Sequence, residues 1–344
     1  MCTNTTIGSV IEKQYNNYKV QLENGIYNAK LKGTLLHTVT NESTFPCVGD
    51  VVEVSAHDEI LVIEHILKRR TQISRKLPGK ATKEQVIASN IDYVAIVLGL
   101  DGGRNYSDRL LERLMTVAWN SGATPLVILN KADLNDEAEY VKLQAETIAP
   151  GVTIIVSSVT NGTGIVTILS YLTEGKIGIF IGPSGVGKST LTNALLKKEV
   201  QKTRAIKLKD KRGRHTTSSS YMFELQSGGY IIDSPGIREV QAWAEEEDLD
   251  NVFTEIATIA ENCKYRNCQH QGEPGCAVQI ELEKGYITPE RYDSFLHLKK
   301  ELAYLDRRKS EKNEYTEKQH GKKFSKMVKQ EMNKKKALSN SLNS

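Results

Sequence analysis

The glycine-rich segment at residues 182–189 limits the possible folds of this chain more than any other feature. It fits the pattern G-x-x-x-x-G-K-S/T, follows the apolar run Ile177–Ile181 and precedes a stretch with helical spacing. Its glycines let backbone amides turn inward around a phosphate group at a helix N-terminus. A chance match is expected in roughly 1% of chains of this length, so we predict a nucleotide-binding loop. We expect Lys188 to reach the β- and γ-phosphate oxygens and the Ser189 hydroxyl to bind Mg²⁺. The members of the loop are Gly182, Pro183, Ser184, Gly185, Val186, Gly187, Lys188, Ser189 and Thr190.

The tetrapeptide at residues 130–133 follows another apolar run and fits the N-K-x-D pattern of guanine recognition. The carboxylate of Asp133 can accept hydrogen bonds from guanine N1–H and from the exocyclic amine. Adenine has no donor at N1 and would leave that carboxylate without a partner. We expect Asn130 to anchor the loop and the base edge, and the stem of Lys131 to cover the ring.

Two further turns carry residues suited to the same nucleotide. Ser157-Ser158 follows an apolar run and resembles the serine loop that supports the guanine carbonyl in GTPases. Residues 233–236 fit the pattern D-x-x-G, in which Asp233 would hold Mg²⁺ through water and the Gly236 amide would sense the γ-phosphate. Each turn alone is also an ordinary strand terminator. Together, all four motifs end predicted strands, and ligands bind at the carboxyl ends of the strands in such sheets.

The order of the motifs indicates how the chain is connected. Strand-like and helix-like runs alternate over residues 71–241, which predicts a mostly parallel sheet with helices on both faces. In most GTPases the phosphate loop precedes the guanine motif, whereas here it follows it. The same sheet forms if the chain enters at a different point, so we predict a circularly permuted α/β P-loop GTPase core. In this arrangement the switch region after residues 233–236 leads directly into the C-terminal domain, so the nucleotide state could move that domain.

The first 70 residues contain short β-like runs separated by turns, which predicts an all-β barrel or sandwich. The five runs are Ile7–Ile11, Tyr18–Leu22, Ile26–Leu31, Val51–Val54 and Ile60–Leu67. A barrel of the oligonucleotide-binding (OB) type is one candidate, and an ordinary structural barrel is equally compatible. The basic segment at residues 68–80 has the composition of a linker.

Residues 242–306 lack strand-like runs, which predicts a small α-helical domain that contains a cluster of metal-binding side chains. Cys263, Cys268, His270 and Cys276 follow the spacing C-x4-C-x-H-x5-C. Three thiolates and one imidazole complete a tetrahedral zinc shell without an open position, so the zinc would be structural. Free buried cysteines are the alternative interpretation.

The net charge of +4 is unevenly distributed. Residues 307–336 carry 12 lysines or arginines against 4 glutamates, whereas the rest of the chain carries 34 basic and 38 acidic residues. Residues 307–344 are therefore predicted to be a basic, disordered tail, used either for contact with nucleic acid or only as a solvated segment. No apolar run approaches the roughly 20 residues of a membrane-spanning helix. Residues Met1–Val10 have neither a basic region nor an apolar core, so we do not expect them to act as a secretory signal. We expect a cytoplasmic protein that does not bind membranes.

The motifs at residues 213–217 (Gly-Arg-His-Thr-Thr), 233–239 and 263–278 allow a family to be named. The chain resembles the ribosome small-subunit-dependent GTPase A family of circularly permuted GTPases, which act in maturation of the small ribosomal subunit. The resemblance covers nearly the whole chain and implies an N-terminal OB barrel, a zinc region and GTP hydrolysis stimulated by the small subunit. GTP/GDP, Mg²⁺ and one structural Zn²⁺ are the expected cofactors, and the resemblance implies the small subunit with its rRNA as the partner. We expect a monomer. The lysine-rich extension after Arg307 is a departure from the family pattern, because the resemblance specifies neither its length nor its sequence.

The residue that orients the attacking water is not obvious from the sequence. Ras-like enzymes have a glutamine directly after the D-x-x-G glycine, and here Ile237 takes that position. An aliphatic side chain cannot position water, so we expect slow intrinsic hydrolysis. His215 is the candidate substitute, with contact to solvent or RNA as its alternative role. Either Thr216 or Thr217 is expected to bind Mg²⁺.

Two other functions are compatible with parts of the sequence. A P-loop ATPase or small-molecule kinase would use residues 182–189 but not Asn130 and Asp133. An RNA-binding module would use the nucleotide only for structural support. A comparison of GDP with ADP binding distinguishes the GTPase from an ATPase or kinase. Stimulation of hydrolysis by small subunits distinguishes the GTPase from an RNA-binding module.

Overall fold

The structure is a computed structural model, which describes residues 5–33, 45–57, 60–76, 84–103, 105–197, 219–234, 247–300 and 302–303. Within these residues, no helix combines the length and the apolar character needed to cross a membrane. The predicted basic tail at residues 307–344 lies outside the described residues.

The N-terminal strands form a closed five-stranded barrel, which confirms the predicted all-β unit. The strands are β1 (Thr5–Gln14), β2 (Asn17–Leu22), β3 (Gly25–Leu31), β4 (Val51–His57) and β5 (Ile60–Ile66). They follow the order β1-β2-β3-β5-β4, and β4 pairs back onto β1, so the sheet has closed on itself. Only the β3–β5 pairing is parallel. Alternate side chains such as Val10, Val20 and Ile63 fill the interior. This closure selects the OB-like barrel over the open sandwich.

The interpretation of residues 68–80 as a linker is wrong for part of that segment. β6 (Gln72–Lys76) pairs antiparallel with β7 (Glu84–Ser89) in a separate two-stranded sheet. Ile73 is 1% exposed and packs in the core, whereas Arg75 on the same strand is only half-buried. Ile73 is the one apolar residue among the five of β6, so the sequence of this segment lacks the alternation of apolar and polar residues that predicts a strand.

A buried ion pair fixes the barrel to the segment that follows it. Asp50 is fully buried at the start of β4 and accepts hydrogen bonds from Arg69 Nε (2.7 Å) and Nη2 (2.8 Å). Ser89 Oγ donates to the same carboxylate at 2.6 Å, and the backbone N–H of Cys47 donates at 2.8 Å. A buried carboxylate is tolerated only when its oxygens are paired in this way. The network therefore connects β4, the chain after β5 and the end of β7.

The central sheet is doubly wound, as predicted. Its strands are β8 (Tyr93–Gly99), β9 (Thr124–Asn130), β10 (Thr153–Val156), β11 (Ile177–Ile181), β12 (Ser220–Glu224) and β13 (Tyr230–Asp233). The order is β10-β9-β8-β11-β13-β12, in which β12 alone is antiparallel to its neighbour in the core. β12 also pairs with β1, so the barrel and the core share one continuous sheet.

Helices cover both faces of this sheet. They are α1 (Asp108–Asn120), α2 (Ala138–Ile148), α3 (Ile165–Tyr171) and α4 (Lys188–Leu196). Along β8 the side chains alternate: Ile96 and Leu98 pack with α1 and α2, whereas Val97 packs with α3 and α4. The strand is buried on both faces, which explains its continuous apolar sequence.

The C-terminal helices pack against α1. They are α5 (Glu247–Val252), α6 (Thr254–Ala260), α7 (Ala277–Glu283) and α8 (residues 289–300). Glu112 on α1 is buried and accepts hydrogen bonds from Arg291 Nη1 (2.6 Å) and from Ser294 Oγ, both on α8. Burial raises the pKa of Glu112 even though Arg291 opposes the shift. The guanidinium of Arg291 also lies 4.2 Å from the centre of the Phe253 ring, which closes the contact between α8 and the start of α6.

Candidate nucleotide-binding site and Cys/His cluster

Three predicted motifs lie at the carboxyl ends of neighbouring strands of the central sheet. The guanine motif follows β9, the Ser157-Ser158 turn follows β10 and the phosphate loop follows β11. These strands are parallel, so their carboxyl ends lie on the same side, where open α/β sheets bind ligands. Asp233 ends β13, which is the parallel neighbour of β11.

The phosphate loop needs glycine at two positions for close approach. Gly182 has φ +136°, and a Cβ there would lie 2.1 Å from the Val97 carbonyl oxygen. Gly187 has φ +97° at the N-cap of α4, and a Cβ there would lie 2.5 Å from Asn130 Nδ2. The Lys188 ammonium donates to the carbonyl oxygens of Gly182 (2.7 Å) and Pro183 (2.5 Å). The positive charge therefore lies within the curve of the loop, beside the amino end of α4.

Asn130 joins the guanine motif to both neighbouring loops. Its side chain is buried at the end of β9, and Nδ2 donates to the Val186 carbonyl oxygen at 2.8 Å. Its Oδ1 accepts a hydrogen bond from Ser157 Oγ at 3.1 Å. One amide thus fixes the position of the guanine motif relative to the phosphate loop and the serine turn, although 56 residues separate Asn130 from Val186.

Asp133 is exposed and is oriented by the serine turn. Ser158 Oγ donates to Asp133 Oδ1 at 2.5 Å, and the Ala132 amide donates to the Ser157 carbonyl at 3.0 Å. The hydrogen bond from Ser158 lowers the pKa of the Asp133 carboxyl below its ordinary value. The group is therefore ionised at neutral pH and presents acceptors only, as recognition of two guanine donors requires.

Lys131 has a partner that sequence reasoning missed. Its Nζ lies 2.5 Å from Asp101 Oδ2, in the loop that follows β8. The hydrogen bond from Lys131 and a second one from Asn105 lower the pKa of Asp101. Because β8 and β9 are neighbours in the sheet, the strand order is the signal that would have indicated this contact.

Several predicted residues cannot be placed. His215, Thr216, Thr217 and Gly236 lie outside the described residues, as does Ile237. Asp233 and Ser189 are described, and their assignment to Mg²⁺ remains a prediction. Next to Asp233, Ser234 Oγ and Ser220 Oγ share a hydrogen bond of 2.7 Å, which ties the start of this turn to β12.

The four predicted zinc ligands converge on one point. The ligand atoms of Cys263, Cys268, His270 and Cys276 all lie within 4.8 Å of one another. Cys263 Sγ is 4.0 Å from Cys276 Sγ, and His270 Nδ1 is 3.6 Å and 3.5 Å from these two sulfurs. Two thiolates on one tetrahedral zinc lie about 3.8 Å apart, given Zn–S bonds of about 2.3 Å. The donor set and its spacing therefore fit zinc.

The surroundings of the cluster favour the metal-binding protonation states of His270 and Cys263, whereas burial raises the pKa of the Cys268 thiol to about 11. Burial lowers the pKa of His270, which keeps the ring neutral with a lone pair for a metal. Burial opposes ionisation of Cys263, but backbone amides of Ala277 and Val278 at the start of α7 donate to its sulfur and bring its pKa below the ordinary value. His270 itself has φ +63°, a conformation rare for a side-chain-bearing residue, which turns the chain between the second and fourth ligands.

The strand order and the joined loops define a class: this is a P-loop GTPase whose guanine motif precedes its phosphate loop. The family model of the RsgA GTPase matches residues 66–243, and the chain belongs to that family. The resemblance predicted from the sequence is thereby confirmed. The small ribosomal subunit biogenesis GTPase RsgA 1 of Oceanobacillus iheyensis is 39% identical over 93% of this chain and 91% of that protein. RsgA of Methanosarcina acetivorans is 40% identical over 76% of this chain and 71% of that protein.

Solved structures agree with the fold. YjeQ from Thermotoga maritima superposes with a TM-score of 0.66 at 27% identity, over 87% of this chain and 99% of that one. YloQ, described as a circularly permuted GTPase, gives a TM-score of 0.62 at 22% identity, over 87% of this chain and 96% of that one. The predicted combination of OB-like barrel, permuted core and C-terminal Cys/His module is confirmed.

Proposed function

We propose that this chain hydrolyses GTP during maturation of the small ribosomal subunit. The observation that carries the proposal is the side chain of Asn130, whose two hydrogen bonds join the guanine motif, the serine turn and the phosphate loop in one site. The relatives named as small-subunit biogenesis GTPases cover most of this chain. In this cycle the GTP form binds the subunit, and hydrolysis to GDP and phosphate leads to dissociation.

The site residues divide into a base end and a phosphate end. At the base end, Asp133 accepts from guanine while Ser158 orients its carboxylate, and Lys131 covers the ring. At the phosphate end, Lys188 neutralises phosphate charge and Ser189 binds Mg²⁺. Asp233 is assigned to the same ion, because its strand adjoins the strand that leads into the phosphate loop.

Hydrolysis itself depends on residues beyond those described. We assign water positioning to His215, Mg²⁺ binding to Thr216 or Thr217 and γ-phosphate sensing to the Gly236 amide. Since Ile237 cannot orient water, the intrinsic rate is low, and the ribosomal partner is needed to reach the productive arrangement.

The barrel offers a surface suited to rRNA. OB barrels bind oligonucleotides on the face of strands 2 and 3 and on the adjoining loops. Tyr15 is 62% exposed in the turn between β1 and β2, and Tyr27 is exposed on β3. Exposed aromatic rings stack on bases, while the exposed Lys30 on β3 attracts phosphates. We further propose that the chain acts on the small subunit in the cytoplasm and as a monomer.

The proposed function is tested by GTP hydrolysis with and without purified small subunits. We expect slow turnover alone and an increase of more than about tenfold with small subunits, because the partner supplies what Ile237 does not. Large subunits at equal concentration are the control. Equal rates in all three conditions, or preference for ATP, would contradict the proposal.

The Cys/His cluster is proposed to hold one structural zinc ion. Cys276→Ser should remove that ion and lower the melting temperature, because the remaining ligands cannot close a tetrahedral shell. The measurement is zinc content by mass spectrometry together with thermal unfolding. Cys47→Ser is the matched control, since Cys47 is buried in the barrel region and lies outside the cluster. Full zinc occupancy in the Cys276 variant would exclude this ligand set.

A further inference from the structure

The loop after β8 lies directly beside the guanine motif. Gly99 and Asn130 are opposite one another at the ends of β8 and β9. Beyond this pair, the Leu100 amide donates to the Asn130 carbonyl at 2.8 Å, and the Gly99 amide donates to the Asn105 carbonyl at 3.2 Å. The backbone therefore fixes both the start and the end of the loop that contains Asp101.

Asp101 is held on two sides. Asn105 Nδ2 lies 3.1 Å from both of its carboxylate oxygens, and Lys131 Nζ lies 2.5 Å from Oδ2. The side chains of Lys131 and Asp101 are only 28% and 18% exposed, so the ion pair is partly shielded from solvent. Lys131 also has left-handed backbone geometry, with φ +63°, which sets the direction in which its side chain leaves the chain.

We propose that Asp101 is a positioning residue for guanine binding, which holds the Lys131 ammonium so that the alkyl stem lies flat against the base. The proposal rests on the role given to Lys131 in the proposed function. A lysine side chain has four flexible bonds and loses much conformational freedom when it is ordered. Asp101 orders the stem before the nucleotide arrives, and the Asn105 amide orders Asp101.

This role predicts which kinetic constants and which nucleotides are affected when the Asp101 carboxylate is removed. Asp101 acts at the base end, so its loss should raise KM for GTP and leave kcat unchanged. It acts through the ring face rather than through the exocyclic amine. Removing the Asp101 carboxylate should therefore weaken the binding of GDP and of inosine diphosphate, which lacks that amine, by the same factor.

The test is a double-mutant cycle of Asp101→Asn and Lys131→Met, with GDP binding measured by calorimetry. Methionine keeps an apolar stem but removes the ammonium. Asp101→Asn should raise the Kd for GDP about fivefold in the wild-type background, as expected for a partly exposed ion pair. In the Lys131→Met background the same change should have no further effect. Asp136→Asn, an exposed aspartate in the turn after the guanine motif, is the control and should bind GDP like the wild type.

Three outcomes would overturn the proposal: an unchanged Kd in Asp101→Asn, an undiminished effect in the Lys131→Met background, or a fall in kcat at constant KM. Partial misfolding of the Asp101→Asn variant would lower the number of binding sites in the titration but leave the Kd of the folded fraction unchanged. Misfolding therefore cannot imitate the expected rise in Kd. Failure of the guanine assignment itself has a different signature, because the wild-type chain would then bind ADP as tightly as GDP.

Discussion

Lys188→Ala should lower GTP turnover by about a thousandfold while the chain remains folded. The ammonium lies 2.7 Å and 2.5 Å from the carbonyl oxygens of Gly182 and Pro183, inside the loop that receives the phosphates. Negative charge develops on the phosphate oxygens in the transition state, and the loop at residues 182–189 has no other lysine or arginine that could neutralise it in place of Lys188. The measurement is GTP hydrolysis in the presence of small subunits, at saturating GTP.

Folding should survive because the Lys188 side chain is only partly buried and belongs to none of the hydrophobic clusters. Alanine also has the highest helix propensity, which suits the first position of α4. Thermal unfolding of the variant should therefore match that of the wild type. Lys284→Ala, at an exposed lysine of the C-terminal module, is the control for loss of a positive charge. Normal turnover in Lys188→Ala would remove the assignment of the phosphate loop.

The core of the fold could be predicted because its signals are local. The run at residues 125–129 is apolar throughout, and β9 spans Thr124–Asn130. Leu111, Leu114, Met115 and Ala118 recur at helical spacing, and all are buried on α1. The circular permutation was also predictable, since the order of the motifs is a property of the sequence itself.

Other features depend on contacts between distant residues and could not be predicted. The OB-like closure requires β1 to meet β4 and β3 to meet β5, and no local pattern specifies these pairings. Arg291 binds Glu112 across 179 residues, and either side chain alone fits an exposed helix face. The short strand β6 was obscured because only one of its five residues carries an apolar side chain.

The candidate site shows the same division. The residue types at positions 130–133 and 182–189 indicated a guanine nucleotide, since those side chains match the donors and acceptors of the ligand. The sequence did not indicate that Asp101 pairs with Lys131, because an isolated aspartate in a loop has no motif to mark it. That contact follows only from the adjacency of β8 and β9 in the sheet.

Asp133→Asn should weaken binding of GDP and GTP by about 100-fold and should create binding of xanthine nucleotides. The Asp133 carboxylate presents only acceptors to the N1–H and the exocyclic amine of guanine. Ser158 Oγ donates to Oδ1 at 2.5 Å, and an asparagine oxygen accepts the same bond. The asparagine amide then points its hydrogens toward the base, where they oppose the guanine amine. Xanthine carries a carbonyl oxygen at that position, so the same amide donates a hydrogen bond instead.

The decisive measurement is therefore the ratio of the Kd for GDP to the Kd for xanthosine diphosphate, because this ratio does not depend on how much of the variant is folded. It should fall below one in the wild type and rise above one in Asp133→Asn. Ser158→Ala separates the orientation of the carboxylate from recognition of the base, since it leaves the Asp133 carboxylate in place without its orienting donor. Ser158→Ala should weaken GDP binding while keeping the preference for guanine. An Asp133→Asn variant that still binds GDP as the wild type does would show that the base is recognised elsewhere. The hydrogen bond from Asn130 to the phosphate loop would then serve only to hold the sheet edge together.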